Sequence, residues 1–185
     1  MEITTQLIKE LRELSGAGIM DCRNALLQTK GDQEKALQIL KEQNLLRVEK
    51  KSNRAASQGL IETYVHTGGR IGAMVELNCE TDFVARTAEF RELAHNLAMQ
   101  VAAQEPVCIT EDQIPEGIDK DPEVACLLLQ PFIKDPEKTI RDLVTETAAK
   151  VGENVQVSRF ARFELGQETS SIAELEKEGA ANAEA

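Results

Sequence analysis

Apolar side chains near the start of the chain recur every three or four residues, which is the spacing of one helix face. Gly16-Ala17-Gly18 and Gly31-Asp32 interrupt this pattern and divide it into three pieces. Thr4 or Thr5 suits the N-cap of the first piece, and Asp32 suits that of the third. Residues 3 to about 46 therefore predict three short helices, with apolar sides formed by Leu7, Ile8, Leu11, Leu14, Ile19, Cys22, Ala25, Leu26, Leu27, Ala36, Leu37, Ile39 and Leu40.

The next eight residues, 47–54, are polar and contain four basic side chains and one acid. Such a cluster could contact a phosphate, although a solvated helix end or a linker is the commoner arrangement. We favour a linker and assign it to residues 47–55.

Beyond the linker the period changes from that of a helix to that of a strand. Two alternating runs flank Gly68-Gly69, which predicts the turn of an antiparallel hairpin with one covered face. The alternating positions are Ile61, Thr63 and Val65 in the first run and Ile71, Ala73, Val75 and Leu77 in the second.

The remainder of the chain mixes helix and strand signals. Helical spacing returns in one segment through Phe90, Leu93, Ala94, Leu97 and Val101 and in another through Ile140, Leu143, Val144, Thr147 and Val151. Asp121-Pro122 and Asp135-Pro136 each place an N-cap residue before a Pro, so each predicts a helix start. Gly152 is expected to close the later helix, and a third strand is predicted through Val155, Val157, Ala161 and Phe163.

These elements predict an α+β fold in which three N-terminal helices precede an antiparallel sheet packed with helices. The predicted divisions are a helical domain at 1–46, a linker at 47–55, an α+β core at 56–165 and an acidic, mobile tail at 166–185.

Composition narrows the choice of partner. The formal net charge is -11, which disfavours wrapping a phosphate backbone, so nucleic acid is not expected as a principal partner. A protein with basic patches would suit this charge better. The start of the chain has neither a basic segment nor an apolar run, and no stretch reaches membrane-spanning length. We therefore expect a cytoplasmic protein without membrane contact.

The sequence lacks several common catalytic and cofactor-binding motifs. There is no Gly-rich phosphate loop, nucleophile elbow or metal-binding His pair, and neither His66 nor His95 has a partner that the sequence identifies. The four cysteines are far apart along the chain, and nothing in the sequence indicates that they converge. We expect buried thiols, no catalytic residues, no metal site and no cofactor.

Asp82-Phe83 allows two interpretations. In the first, Asp82 caps the next turn and Phe83 is tucked beneath it. In the second, an exposed aromatic side chain stands beside a carboxylate at the tip of a hairpin, ready to enter a partner's pocket. The two residues alone leave both interpretations open.

The residues around them carry a resemblance. Glu76-Leu77-Asn78-Cys79-Glu80-Thr81-Asp82-Phe83-Val84-Ala85 resembles the signature of bacterial elongation factor Ts. The run from Leu14 to Leu26, LSGAGIMDCRNAL, is similar to the N-terminal segment of that family. Gln130-Pro131-Phe132 and Val155-Gln156-Val157-Ser158-Arg159-Phe160 match further segments. The four matches follow the family's order and cover about residues 1–165.

The resemblance implies a ubiquitin-associated-like helical domain followed by the sheet and its helices. It also implies a partner, the GTPase elongation factor Tu, from which the family speeds GDP release. Carried over to this chain, the site is Thr81, Asp82, Phe83 and Val84, with Asp82 and Phe83 entering near the magnesium site of the GTPase. The loop Gly16, Ala17, Gly18, Ile19 and Met20 would dock on the GTP-binding domain.

This chain departs from the longer members of the family. It lacks their second, degenerate copy of the core and their helical hairpin insertion, so it resembles the short form. That form tends to dimerise, which makes the core a dimerisation domain and predicts a homodimer. Two other functions stay open from the residues alone: a helical adaptor that uses only residues 1–46, and an enzyme that uses Cys79. The second is disfavoured because the neighbouring carboxylates Glu80 and Asp82 raise the pKa of a thiol.

Overall fold

The computed structural model describes residues 3–117 and 120–167 of the chain. A bundle of three helices is followed by a three-stranded antiparallel sheet with helices on one face, which confirms the predicted α+β class. From residue 168 onward the predicted acidic tail lies outside the described residues. Within the described ranges, none of the helices combines the length and the apolar character needed to cross a membrane.

The main helices and strands follow one another in the order that the sequence pattern predicts, with a single-turn helix at Asp82–Ala85 and two short strands added. They are α1 (Thr5–Ser15), α2 (Ile19–Gln28), α3 (Gln33–Lys51), β1 (Gln58–Val65), β2 (Ile71–Cys79), α4 (Asp82–Ala85), α5 (Ala88–Gln104), α6 (Pro122–Ala125), β3 (Pro131–Phe132), β4 (Asp135–Thr139), α7 (Ile140–Val151) and β5 (Val155–Glu164).

Capping residues define the ends of the N-terminal helices. The Thr4 side chain accepts a hydrogen bond from the Leu7 amide, and Gly16 ends α1 in the left-handed region at φ 64°. Asp32 caps α3 by accepting from the Lys35 amide at 3.1 Å. These caps occur where the sequence predicts them, because side-chain acceptors and a left-handed glycine satisfy backbone groups that a helix end leaves open. A small separate core forms between the three helices from Leu11, Ala17, Cys22, Ala25, Leu26, Ala36 and Leu40. The prediction was wrong for Leu14, Ile19 and Leu27, which lie near helix ends and are exposed.

The predicted linker is partly helical. α3 continues through the polar stretch as far as Lys51, where we expected the chain to leave the helix at about residue 46. The residues just beyond α3 are held against the turn between α7 and β5. The Asn154 amide donates to the carbonyls of Ser52 and Arg54 at 3.1 and 2.7 Å, and the Lys51 amine donates to the Gly152 carbonyl. A polar sequence therefore concealed a helix that contacts the second part of the chain.

The sheet has the strand order β1-β2-β5, and both strand pairs are antiparallel. β2 is central, and its Ala73, Val75 and Leu77 face inward as the alternation predicts. α5 covers this inner face with Phe90, Leu93, Leu97 and further apolar residues of the main core. All five apolar positions predicted for α5 are buried.

The outer face of the sheet carries exposed apolar side chains. In β1 the inward positions are Leu60, Glu62 and Tyr64, because Leu60 pairs with Leu77 and Tyr64 with Ala73. In β5 a bulge at Ser158 shifts the register, so Phe160 faces inward and Phe163 faces outward. Because this one-residue shift moves the following side chains to the opposite face, the regular alternation predicted from Val155 and Val157 to Ala161 and Phe163 was wrong. Exposed on the outer face are Ile61, Val65, Met74 and Phe163.

The second Asp-Pro prediction was also wrong. Asp121 caps α6 as expected and accepts from the Glu123 amide at 3.0 Å. Asp135-Pro136 instead lies in β4, which pairs with β3. Thr139 begins α7 through a reciprocal capping box with Asp142. The local cap signal failed because backbone pairing with Pro131-Phe132 holds the Asp-Pro segment extended.

Two of the cysteines meet, contrary to the expectation that none would converge. The Cys108 and Cys126 sulfur atoms are 3.2 Å apart inside a small buried cluster, and all four cysteines are buried free thiols. Burial and the neighbouring Cys126 raise the pKa of Cys108 to about 12. The Cys108 thiol is therefore neutral at physiological pH.

Candidate functional site

Residues 81–85, here called the β2–α4 turn, bring four of the predicted site residues together. Thr81 is the N-cap of α4, and its hydroxyl accepts a hydrogen bond from the Val84 amide at 3.4 Å. Val84 and Ala85 point into the main core and are buried. The turn is thus anchored from beneath by two apolar side chains, one of which, Val84, was predicted as a site residue.

Phe83 points the opposite way. Its side chain is 79% exposed, the largest value for any large apolar residue in the described part of the chain. Burying a Phe side chain contributes about 1.5–3 kcal/mol. Phe83 makes no such contribution to the fold, because its side chain faces water. An aromatic side chain on an anchored turn is suited to filling a pocket of another molecule.

Asp82 stands beside Phe83 and pairs with Arg86 across one helical turn, with an oxygen-to-nitrogen distance of 2.8 Å. The interpretation in which Asp82 caps the turn and Phe83 is tucked beneath it was wrong, because Thr81 is the cap and Phe83 is exposed. The turn is also not the tip of the hairpin. The hairpin closes at Gly68-Gly69, whereas Asp82 follows the opposite end of β2.

Two carboxylates brace the β2–α4 turn against residues 152–154, here called the α7–β5 turn. Glu153 accepts from the Thr81 amide at 2.9 Å and from the Thr81 hydroxyl at 2.6 Å. In the reverse direction, Glu80 accepts from the Asn154 amide at 2.8 Å. Glu153 therefore binds a backbone amide of the β2–α4 turn, and Glu80, directly before that turn, binds a backbone amide of the α7–β5 turn.

The Glu80 brace predicts a dependence of stability on pH. The Asn154 amide, with help from Arg54, holds the pKa of Glu80 below its ordinary value of 4.5. A lowered folded-state pKa contributes stability that is present above about pH 4.5 and disappears as pH falls through the folded value. We expect Glu80→Gln to lower the urea midpoint near neutral pH and to match wild type once Glu80 is protonated. Glu116→Gln, in an exposed loop, is the control; a Glu80→Gln deficit that is constant with pH would contradict the prediction.

Cys79 does not have the surroundings of a nucleophile. Burial raises the pKa of its thiol, and the Glu153 and Asp82 carboxylates raise it further. Its sulfur donates to the Thr81 carbonyl at 3.1 Å, so it supports the β2–α4 turn from within. A neutral, hydrogen-bonded thiol argues against the enzyme alternative.

The second predicted site lies in the N-terminal bundle, between α1 and α2. Ala17 is buried in the bundle core, while Gly16 and Gly18 form the exposed backbone of the loop. Ile19 and Met20 open α2 and are 55% and 59% exposed. The loop thus presents two adjacent apolar side chains to solvent.

The basic residues that end the polar stretch are engaged within the chain. Arg54 pairs with Glu80 at 3.4 Å, and Lys51 donates to the Gly152 carbonyl. These contacts favour a structural role for the two side chains over the phosphate contact that the charge cluster left open.

Both histidines have partners that the sequence could not identify. The Tyr64 hydroxyl lies 3.1 Å from His66 Nδ1, and His95 Nδ1 lies 3.5 Å from a Glu62 oxygen. His95 also meets the Tyr64 ring edge to face, with centroids 5.8 Å apart. In the described ranges, groups of three or more His, Cys, Asp and Glu side chains arranged to hold a metal ion are absent.

Sequence reasoning missed the residues that hold the site in place. Glu153 and Asn154 are more than 70 positions from the residues that they bind, so spacing could not reveal them. One signal was present in the Arg86–Asp82 pair, because a separation of four places oppositely charged side chains together on a helix.

Comparison with known proteins gives one consistent family. The family model for elongation factor TS matches residues 28–125. The elongation factor Ts of Carboxydothermus hydrogenoformans is 45% identical over 195 residues, which cover 89% of this chain and 90% of that protein. That of Thermotoga neapolitana is 45% identical over 196 residues, covering 91% and 100%. That of Caldanaerobacter subterraneus is 45% identical over 195 residues, covering 89% and 98%.

Proposed function

The chain belongs to the elongation factor Ts family of translation elongation factors, and we propose that it binds the GTPase elongation factor Tu and promotes release of GDP. The observation that carries this proposal is Phe83, exposed on a turn whose neighbouring side chains are buried. The protein acts by binding, without a catalytic residue or a cofactor of its own, in the cytoplasm where its partner works.

The mechanism is differential binding to two states of the partner. Phe83 finds a pocket only when the GTPase has shifted the elements around its Mg²⁺ and phosphate groups, and its burial then favours that shifted state. Each 1.4 kcal/mol of difference changes an affinity about tenfold, so one Phe supplies roughly one or two decades. Asp82 adds a carboxylate close to the metal site. Thr81 and Val84 hold the presenting turn.

A second contact would come from the N-terminal bundle. Ile19 and Met20 are adjacent and exposed at the start of α2, in the loop that resembles the family's docking segment. The net charge of -11 suits basic patches on the partner's surface. Contact at both places would hold the GTPase while Phe83 acts on its nucleotide site.

The test is GDP release from elongation factor Tu preloaded with a fluorescent GDP and chased with unlabelled nucleotide. Substoichiometric amounts of this protein should accelerate release of the label. Binding without acceleration would instead favour the helical adaptor. An unchanged release rate with no binding would reject elongation factor Tu as the partner.

We also propose that the core, residues 56–165, forms a homodimer through the outer face of the sheet. Val65 and Phe163 both pair with Gly72, and Met74 lies on the same face, so these exposed apolar side chains form adjacent rows. Water-exposed apolar groups on three neighbouring strands favour burial against a matching surface. A second copy of the chain presents such a surface.

Phe163→Arg is expected to shift the solution mass from that of two chains to that of one, because it places a charge in the apolar contact. Light scattering measures this mass directly. Leu14→Arg is the matched control, since Leu14 is equally exposed but lies on α1, away from the sheet. A wild-type protein with the mass of one chain would refute the homodimer.

A further inference from the structure

We propose that Glu153 is a positioning residue for nucleotide exchange: it holds the β2–α4 turn in the conformation that presents Phe83. The inference rests on the proposed exchange function for its biological meaning. Its structural content, a carboxylate that orders a turn 72 positions away along the chain, stands on the geometry alone.

Both oxygens of Glu153 are used on one residue. One accepts from the Thr81 amide at 2.9 Å, and the other accepts from the Thr81 hydroxyl at 2.6 Å. The same hydroxyl accepts from the Val84 amide at 3.4 Å. Its single proton is therefore directed to Glu153 while its lone pair caps α4, so the carboxylate sets the orientation of the helix cap.

A single turn of helix needs this support. α4 contains four residues, and a helix this short does not form on its own, because its amides lack partners within the helix. The contacts that order it are the buried Val84 and Ala85 beneath it and the Thr81 cap in front of it. Val84 and Ala85 fix the depth of the turn, whereas the cap fixes the direction in which Phe83 leaves it.

The α7–β5 turn that carries Glu153 also holds the segment leaving the N-terminal bundle. The Asn154 amide group donates to the Ser52 and Arg54 carbonyls, and its backbone amide donates to Glu80. Asn154 is buried. One turn of three residues thus supports both the exit from α3 and the turn that presents Phe83.

Loss of Glu153 is expected to free the β2–α4 turn without unfolding the protein. Phe83 must then be ordered when it enters its pocket, and this ordering reduces the binding free energy that reaches the partner. We expect Glu153→Ala to slow stimulated GDP release roughly tenfold, in line with the strength of hydrogen bonds to a charged group. Glu153→Gln keeps an acceptor for the Thr81 amide and should recover part of the rate.

The deciding experiment compares Glu153→Ala in two backgrounds, with GDP release from elongation factor Tu as the readout. If Glu153 acts by presenting Phe83, Glu153→Ala slows release in the wild-type background and has no further effect in the Phe83→Ala background. An equal loss in both backgrounds would overturn the proposal, since general destabilisation would act in each. Glu146→Ala, which removes another ion-paired glutamate in the last part of the chain, is the matched control.

A second readout separates this inference from the proposed function. Amide hydrogen exchange of the protein alone should show faster exchange at residues 81–85 in Glu153→Ala, with α5 unchanged. If wild type fails to stimulate GDP release while the turn loosens as expected, the exchange function is wrong and the positioning role holds. Unchanged protection of residues 81–85 would overturn the positioning role whatever the exchange assay gives.

Discussion

Replacing Phe83 by Ala is expected to slow stimulated GDP release roughly ten- to a hundredfold, while the free energy of unfolding stays within about 0.5 kcal/mol of wild type. The reason is that the Phe83 side chain is exposed in the free protein, so its removal takes little from the fold. The burial energy of about 1.5–3 kcal/mol is realised only in the complex. Its loss therefore falls on the affinity for the shifted state of the partner.

The measurement is the release rate of fluorescent GDP as a function of protein concentration, with urea unfolding of the same samples. Val124→Ala removes a comparably placed exposed side chain on α6 and serves as the control. A folded Phe83→Ala protein that stimulates release as well as wild type would reject Phe83 as the contact. Because coupling is reciprocal, GDP should also weaken binding of the wild-type protein more than that of the variant.

At Phe90, seven residues after Phe83, we expect a substitution to lower stability. Phe90→Ala should lower the free energy of unfolding by about 3–5 kcal/mol, because Phe90 has 0% exposure and packs in the main core. Removing its ring loses the burial energy and leaves a cavity that the surrounding side chains fill only in part. This is a large share of the roughly 5–15 kcal/mol that stabilises a typical domain.

Urea unfolding followed by circular dichroism measures this loss, and Glu89→Ala tests for a general effect of substitution in the first turn of α5. Where the Phe90→Ala protein remains folded, it should retain more exchange activity per folded molecule than Phe83→Ala. A midpoint equal to wild type would mean that α5 is not packed on the sheet as described.

The helices and the sheet could largely be predicted from the sequence because each leaves a local mark. In α5 the apolar spacing identified Phe90, Leu93 and Leu97 as core residues, and all three are buried. Thr4 and Asp32 cap their helices as local chemistry requires. A periodic apolar pattern is a direct record of which face meets the core.

The errors arose where pairing between strands overrides the signal of a single dipeptide or of simple alternation. Pairing with β3 keeps Asp135-Pro136 extended, although the same dipeptide type starts a helix at Asp121. In a strand without a bulge, Phe163 would share a face with Val155 and Val157, because it lies an even number of positions from each of them. The bulge at Ser158 turns Phe163 to the outer face instead. Neither effect can be predicted from the redirected residues alone, because each depends on the strand with which they pair.

The candidate site shows the same division. The run from Thr81 to Val84 was identified by its resemblance to a family, but its residues alone do not determine whether Phe83 is buried or exposed. Only the packed structure separates Val84, which is buried, from Phe83, which is exposed, because α4 is a single turn with one face on the core.

The sequence by itself determined the order of the main elements, most of the inward positions in the helices, and the segments that mark the family. The tertiary structure decided which face of the sheet is left open and which residues hold the β2–α4 turn. The physical reason is how far apart in the sequence the interacting residues lie. Helical periodicity and caps depend on neighbours within four or five residues, whereas the contact between Thr81 and Glu153 exists only after the chain has folded back on itself.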